Sequence, residues 1–462
     1  MYFPQKNMRL TFVGTGVSCA VPVIGHLTTR CACRDAIRHP DGPNRRNNVA
    51  LLISLPFPKK SSTSAKKNER ADGSDEMEWH HVLIDCGKTF RNAYLRVLAP
   101  MQVRFVDVLL LTHGHADAMH CVEELCGMQA EAARDFKASA SPVSSHQAAD
   151  ELLGGEDVVR EIPRPLRRIP TYLTYPTLEQ IEMVSCDLAR SSFHIGPAPT
   201  SREAYAQALR ETDNAISSYV AETSVFNAPS TVMDLFFMNE AAPQRIFVPI
   251  GPFTSQLPLE FAGSESSVAY APQSAATRVD AELPFYSFPV EHGPQYISMC
   301  FAFGRGTAFT SHKRESASAS LQEGSCVVYM SDVSAIPAKS MAFLFDLVKI
   351  DVLILDLLAE HGSPSASHYC ADEAIPMVVQ LAPRKTYFVG MFCSLEHKST
   401  NQQLAQELAD LKAQVQKELA TLSAQEADSP EVAAQCARKR RFLEETVSME
   451  LAYDGQQLDI AP

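Results

Sequence analysis

The sequence predicts a layered α/β fold. Three observations support this: short apolar runs recur between residues 8 and 389, stretches with helical spacing separate some of them, and turn residues close them. The first run, 8–13 (MRLTFV), enters the turn Gly14-Thr15-Gly16. That turn lacks the third glycine of a dinucleotide-binding fingerprint and reads as a tight turn only. Residues 49–54 (VALLIS) and 81–85 (HVLID) give the second and third strands. Residues 106–111 (VDVLLL) read as a buried strand, followed by a helical stretch near 120–135. Further apolar runs lie at 245–250, 284–290, 297–303, 325–330, 351–356 and 385–389, with helical stretches near 335–348 and 370–381.

Three segments read as insertions. The polar stretch within 55–79 has no apolar periodicity and reads as a loop. Residues 129–165 mix alanine-rich, serine-rich and acidic pieces, and 193–240 carry a helix and a separate apolar patch, VMDLFFM. Near the C-terminus, Leu404, Leu408, Leu411, Val415 and Leu422 recur at helical spacing and define an amphipathic helix. Its apolar face suits packing on the core, with a homodimer contact as the alternative.

Composition narrows the classes. A net charge of -13 over 462 residues disfavours an extended nucleic-acid footprint without excluding a local one. No apolar run is long enough to span a bilayer, and the first residues lack the features of a signal peptide. Twelve cysteines, several inside strands or beside histidines, point to a reducing, cytoplasmic setting.

The chemistry concentrates in LLLTHGHADAMH, residues 109–120. His113, His115 and Asp117 follow directly on an apolar run, so they converge on one cation if the strand ends there and turns. Later candidates also sit at the ends of apolar runs, where loops on a rigid scaffold hold reactive groups: His292 in FPVEHG, Asp332 in VVYMSD, Asp356 in IDVLILD, and His361 and His368 beyond it. Three imidazoles and one carboxylate, His113, His115, His292 and Asp332, suit zinc, which would acidify a water at neutral pH.

These motifs, in the order FVGTGVS, CAC, NNVALLI, VLIDCG, VLLLTHGHADAMH, EHG, MSDVS and TYFVG, resemble the metallo-β-lactamase-fold hydrolases. The nearest branch is the phosphonate-pathway cyclic phosphodiesterases and tRNA 3′-processing endonucleases. The resemblance implies an αββα sandwich over residues 1–397; the composition places the three insertions within it, and the helical spacing gives a helical extension over 398–462. It carries the first-metal histidines to His113, His115 and His292 and the bridging carboxylate to Asp332. A second metal would use Asp117 and two further histidines, but Ala118 and Gly390 stand at those two positions. One firmly bound zinc is therefore expected; a second ion, manganese for instance, would need a rebuilt site, with His120 or His397 as substitutes. His368 is implied as general acid or phosphate contact, with His361 a rival, and Asp117 as the group that orients a water when it is not a ligand. Asp85 is expected to orient a motif histidine through its second ring nitrogen. A structural zinc is implied at His26, Cys31, Cys33 and Cys393. Arg45 and Arg46 offer an anion contact or a solvated basic turn.

The expected activity is metal-dependent hydrolysis of a small or cyclic phosphate ester. A tRNA-processing-like endonuclease and a non-catalytic scaffold are the alternatives, and the same scaffold accommodates β-lactam or thioester hydrolysis.

Overall fold

The apolar runs pair into two sheets. The structure is a computed structural model and describes residues 7–26, 31–58, 77–139, 164, 167–186, 188, 192–220, 233–250, 283–313, 324–422 and 429–462. In chain order the strands are β1 (Met8–Gly14), β2 (Ala50–Pro58), β3 (Met77–Ile84), β4 (Val108–Leu110), β5 (Ile169–Leu173), β6 (Phe193–Pro197), β7 (Met233–Phe237), β8 (Gln244–Ile246), β9 (Phe285–Glu291), β10 (Ile297–Phe303), β11 (Val327–Met330), β12 (Val352–Asp356), β13 (Lys385–Val389), β14 (Ser448–Leu451) and β15 (Gln457–Ile460). The first sheet runs β15-β1-β2-β3-β4-β5-β7-β6 and the second β14-β13-β12-β11-β10-β9-β8.

Both sheets are mixed. In the first, β15, β1, β2 and β3 pair antiparallel and β3 to β6 pair parallel. In the second, β8 to β11 pair antiparallel and β11 to β14 pair parallel. One core lies between the sheets, with Phe12, Ile53 and Ile84 from the first meeting Phe285, Phe301 and Ile354 from the second. Two further cores lie on the outer faces. Leu83 and Leu109 pack with Leu125 and Leu178 of the helices Val122–Ser139 and Tyr175–Val184. Leu353 and Phe388 pack with Ile375, Leu404 and Phe442 of the helices Ala371–Leu381, His397–Leu422 and Pro430–Glu445. Helix, sheet, sheet and helix thus stack as an αββα sandwich.

Three segments differ from the sequence reading. VMDLFFM is not a separate patch: Met233–Phe237 is a strand buried along its whole length between β5 and β6. A parallel strand covered on both faces loses the alternation that marks strands in sequence, and its one charge, Asp234, is paired with the buried Arg168 at 2.9 Å. Strand β5 escaped for the same reason, being buried throughout and interrupted in pattern by Pro170 and Thr171. The segment after residue 397 is not helical throughout, because β14 joins the second sheet and β15 the first. The amphipathic helix does pack on the core, through Leu404, Leu408, Val415 and Leu419. Residues 59–76 and 140–163, most of two expected insertions, lie outside the described residues.

Topology positions the site. Strands β9, β11, β12 and β13 point the same way in one sheet, as β3 and β4 do in the other. The sheets are stitched where Met299 N–H donates to Thr112 O at 2.8 Å. Residues just past the C-terminal ends of these strands therefore gather at one edge of the sandwich.

Candidate metal centre

His113 follows β4 and His292 follows β9, so the two sheets each bring one histidine to the edge. His115 comes from the turn after β4, before the short helix Ala116–Met119. Donor atoms of His113, His115 and His292 lie within 4.8 Å of one another, as do those of His113, Asp117 and Asp332, and those of His292, Asp332 and His368. The five expected ligands and His368 thus form one overlapping cluster.

Hydrogen bonds aim the rings. Thr112 donates to Asp85 from its N–H (2.8 Å to Oδ1) and its hydroxyl (2.9 Å to Oδ2). With its own proton committed, Thr112 Oγ1 accepts from His113 Nδ1 at 2.8 Å. Nε2 of His113 is then the lone-pair nitrogen, and it is buried without a hydrogen-bond partner among the described residues. Asp85 therefore acts on the histidine through Thr112 rather than directly. His292 Nδ1 donates to the carbonyl of Ser367 at 2.7 Å, which turns its Nε2 toward His115 Nδ1 at 3.2 Å. Asp85 and Asp332 adopt left-handed backbone conformations, φ +65° and +56°, the sparsely populated geometry that recurs where surrounding structure fixes a functional group. The approach of the Asp85-Cys86-Gly87 turn to the motif loop demands glycine: a Cβ at Gly87 would lie 1.6 Å from Asp117 O.

Charge follows burial. Loss of water pushes the His113 imidazole down to about 3, and lowers His115, to which His292 adds. Burial, with Asp332 nearby, pushes Asp117 up to about 6. Burial also opposes ionisation of Asp332, but His113, His292 and His368 outweigh it and hold that carboxyl below its ordinary range. Burial alone would lower His368; Asp356, 2.8 Å from its Nδ1, raises it instead to about 9.

The donor set fits a divalent cation. A buried, unpartnered imidazole nitrogen facing two further imidazoles and two carboxylates has no other means of satisfaction among the described residues. The position of Gly390 does not offer a second such site. Its φ is +74°, and a Cβ there would lie 2.0 Å from Asp356 Oδ1, so the space a side chain would take is filled by the carboxylate that holds His368.

The remaining candidates sit elsewhere. His361 is exposed and bonded to Asp372 (2.6 Å) and Glu407 (2.8 Å). His397 Nε2 lies 3.2 Å from Asn401 Nδ2 and its ring meets Tyr453 edge-on. His120 is exposed and belongs to none of the donor clusters. Arg46 is buried, not a solvated turn: it donates to the carbonyls of Phe392 (3.0 Å) and Leu395 (2.6 Å). Sequence reasoning missed Thr112 and Ser367, which hydrogen-bond to His113 and His292 and leave no spacing signature, and Tyr296, which follows His292 by four residues.

A second cluster holds four donors. His26 Nδ1 lies 3.3 Å from Cys393 Sγ and 3.9 Å from both Cys31 Sγ and Cys33 Sγ, and all four donor atoms lie within 4.8 Å of one another. All twelve cysteines are free thiols.

An αββα sandwich with imidazoles and carboxylates clustered at one sheet edge defines the class by architecture. No family model and no curated protein matches the chain. Three solved structures overlap it distantly. A diphosphatase from the PhnP family aligns over 98% of this chain and 97% of its own, with 18% identity and a TM-score of 0.47. The metallo-β-lactamase fold protein YhfI from Bacillus subtilis aligns over 98% and 99%, with 10% identity and a TM-score of 0.40. A long form RNase Z from yeast aligns over 98% of this chain and 42% of its own, with 11% identity and a TM-score of 0.42. Overlap at these identities and scores carries no weight for activity. Among the described residues no helix is long and apolar enough to cross a membrane.

Proposed function

We propose that this chain is a metal-dependent hydrolase acting on a phosphodiester, with a small or cyclic phosphate ester as substrate. The observation that carries the reading is the buried Nε2 of His113, unpartnered among the described residues and grouped with donors of His115, His292, Asp117 and Asp332. His113, His115, His292 and Asp332 would hold one divalent ion, zinc by donor type. Such an ion supplies Lewis acidity to a phosphoryl oxygen and acidifies a water.

The chain's own residues complete the chemistry. Asp117 lies at the edge of the cluster, its Oδ1 3.9 Å from His113 Nε2, where it orients a water and takes its proton. His368, fixed at Nδ1 by Asp356, presents its other ring nitrogen as the proton donor to a leaving alkoxide. The His368 imidazolium also balances the negative charge of a phosphodiester. His26, Cys31, Cys33 and Cys393 would hold a separate structural zinc, pinning the N-terminal loop to the segment after β13.

The test uses the full chain and bis(p-nitrophenyl) phosphate together with a 2′,3′-cyclic nucleotide. Chelation is expected to abolish hydrolysis and one equivalent of zinc per catalytic cluster to restore it, while His113→Ala removes both activity and that equivalent. Cleavage of a 3′-extended tRNA in preference to the small esters would favour the endonuclease reading. Zinc binding with no hydrolysis of any ester would favour a scaffold.

A further inference from the structure

The three histidines are not held alike. His113 and His292 each have the nitrogen facing away from the cluster fixed by a hydrogen bond, to Thr112 Oγ1 at 2.8 Å and to Ser367 O at 2.7 Å. His115 turns Nδ1 toward His292; among the described residues its other nitrogen has no hydrogen-bond partner. It is also the exposed member of the three. Its constraint is a ring. Tyr296 lies flat against His115, centroids 4.5 Å apart and planes 9° from parallel.

Tyr296 is itself well anchored. Its carbonyl accepts from His292 N–H at 2.9 Å, and its phenol oxygen accepts from Gly114 N–H at 3.0 Å. It meets His113 and His292 edge-on, with centroids 6.2 Å away in both cases. The one side chain therefore touches both chain segments that deliver the histidines, and it does so from the turn joining β9 to β10.

We infer that Tyr296 is the positioning residue for His115: the stacked phenol ring fixes this imidazole as hydrogen bonds fix the other two. This rests on the reading of His113, His115 and His292 as ligands of one ion. A ligand histidine normally has its far nitrogen held, and loss of such a partner lowers metal affinity by roughly 10–100-fold. An exposed imidazole without a partner samples several rotamers, and binding must freeze it into one. The parallel face of Tyr296 leaves one plane in which the ring can lie, and the main-chain bond from His292 N–H to the Tyr296 carbonyl keeps that face beside the histidines.

The test compares wild type, Tyr296→Phe and Tyr296→Leu as full chains. Cobalt(II) affinity is measured by chelator competition, with the ligand-field spectrum and the melting temperature of the metal-free protein recorded in parallel. A His113→Ala control subtracts cobalt held at the cysteine cluster. Tyr296→Phe keeps the stack and is expected to retain wild-type affinity and spectrum. Tyr296→Leu is expected to bind about tenfold more weakly, with an altered spectrum and an unchanged metal-free melting temperature. If Tyr296→Leu does not fold, Tyr296→Met replaces it under the same criteria. Wild-type affinity and spectrum in the non-aromatic variant overturn the inference while leaving the metal site intact. Equal loss in Tyr296→Phe and Tyr296→Leu overturns it in favour of the hydroxyl. If wild type and His113→Ala take up the same cobalt, the ligand reading fails and the inference falls with it.

Discussion

His368 matters in proportion to how badly the leaving group needs a proton. Its Nδ1 is tied to Asp356, and Asp356 also accepts from Val333 N–H at 3.1 Å, so the ring has one free nitrogen and one orientation. Removing it with His368→Ala is expected to slow hydrolysis of alkyl and ribose-type esters by about 10²–10⁴-fold. The cost on bis(p-nitrophenyl) phosphate is expected to be far smaller, because p-nitrophenolate departs without protonation. Steady-state kcat on the two ester types checks this; equal losses would assign His368 to phosphate binding or metal ligation instead. Thr112 makes a second residue-level test. Thr112→Val keeps the shape but leaves His113 Nδ1 and Asp85 Oδ2 unpaired in the interior. The expected result is a loss of metal affinity of roughly 10–100-fold together with about 1–3 kcal/mol of stability, read by chelator competition and urea denaturation. Unchanged affinity would show that Asp85 and Thr112 serve only the backbone turn.

Elements place these residues, and the C-terminal strands are the least expected of them. β14 covers the β13 edge of the second sheet and β15 the β1 edge of the first. Between them Asp454 accepts from Asn47 N–H (2.7 Å) and Thr15 Oγ1 (2.8 Å) in the turn region beside Gly14. Ending the chain at residue 446 would bare one edge of each sheet, and unpaired edges recruit other chains. Such a truncation is expected to aggregate at micromolar concentration, seen by sedimentation velocity; a monodisperse product would mean both edges tolerate water. The sequence concealed these strands because SMEL and QLDI, although they alternate polar and apolar residues, are only four residues long and follow a long helical pattern. Strands such as 297–303 and 351–356 were legible because apolar runs ended at turn residues. β5 and β7 were not, since parallel strands buried on both faces show no period. The same contrast holds in the site. His113, His115, Asp117, His292 and Asp332 were legible from residue type and strand-end position, and His368 and the cysteine cluster from the family resemblance. The supports Thr112, Ser367 and Tyr296 were not, because what they do depends on which loop folds back beside which.

At the scale of the whole molecule, the end of β3 away from the histidine cluster carries a group of charges whose titration bears on stability. His80 is 3% exposed, its ring tilted against Phe57 with centroids 4.5 Å apart, and its Nδ1 lies 3.8 Å from Asp107 Oδ1. Burial pushes its imidazole down to about 3, and although Asp107 favours the charged form, Arg164 and Arg167 oppose it. Asp107 resists burial through Arg164, 2.6 Å away, and His80, which keep its carboxyl ionised well below the usual range. In the unfolded chain the same imidazole titrates near 6.5. The unfolded state therefore binds one more proton than the folded state as pH falls from about 6.5 toward 3. Stability from this group is complete above pH 6.5 and declines as pH falls, by about 3 kcal/mol at pH 4. Asp454 runs the other way: burial pushes it up to about 6, so the folded state takes up its proton first and gains relative stability on acidification. Total stability thus mixes opposing groups, and the difference between wild type and His80→Gln isolates one of them. Urea midpoints at pH 7.5 and pH 4.5 are expected to show wild type losing about 2–3 kcal/mol more than the variant. Parallel losses would mean that His80 is protonated in the folded state and pairs with Asp107, making the cluster a charged tether rather than a neutral imidazole beside an Asp–Arg pair.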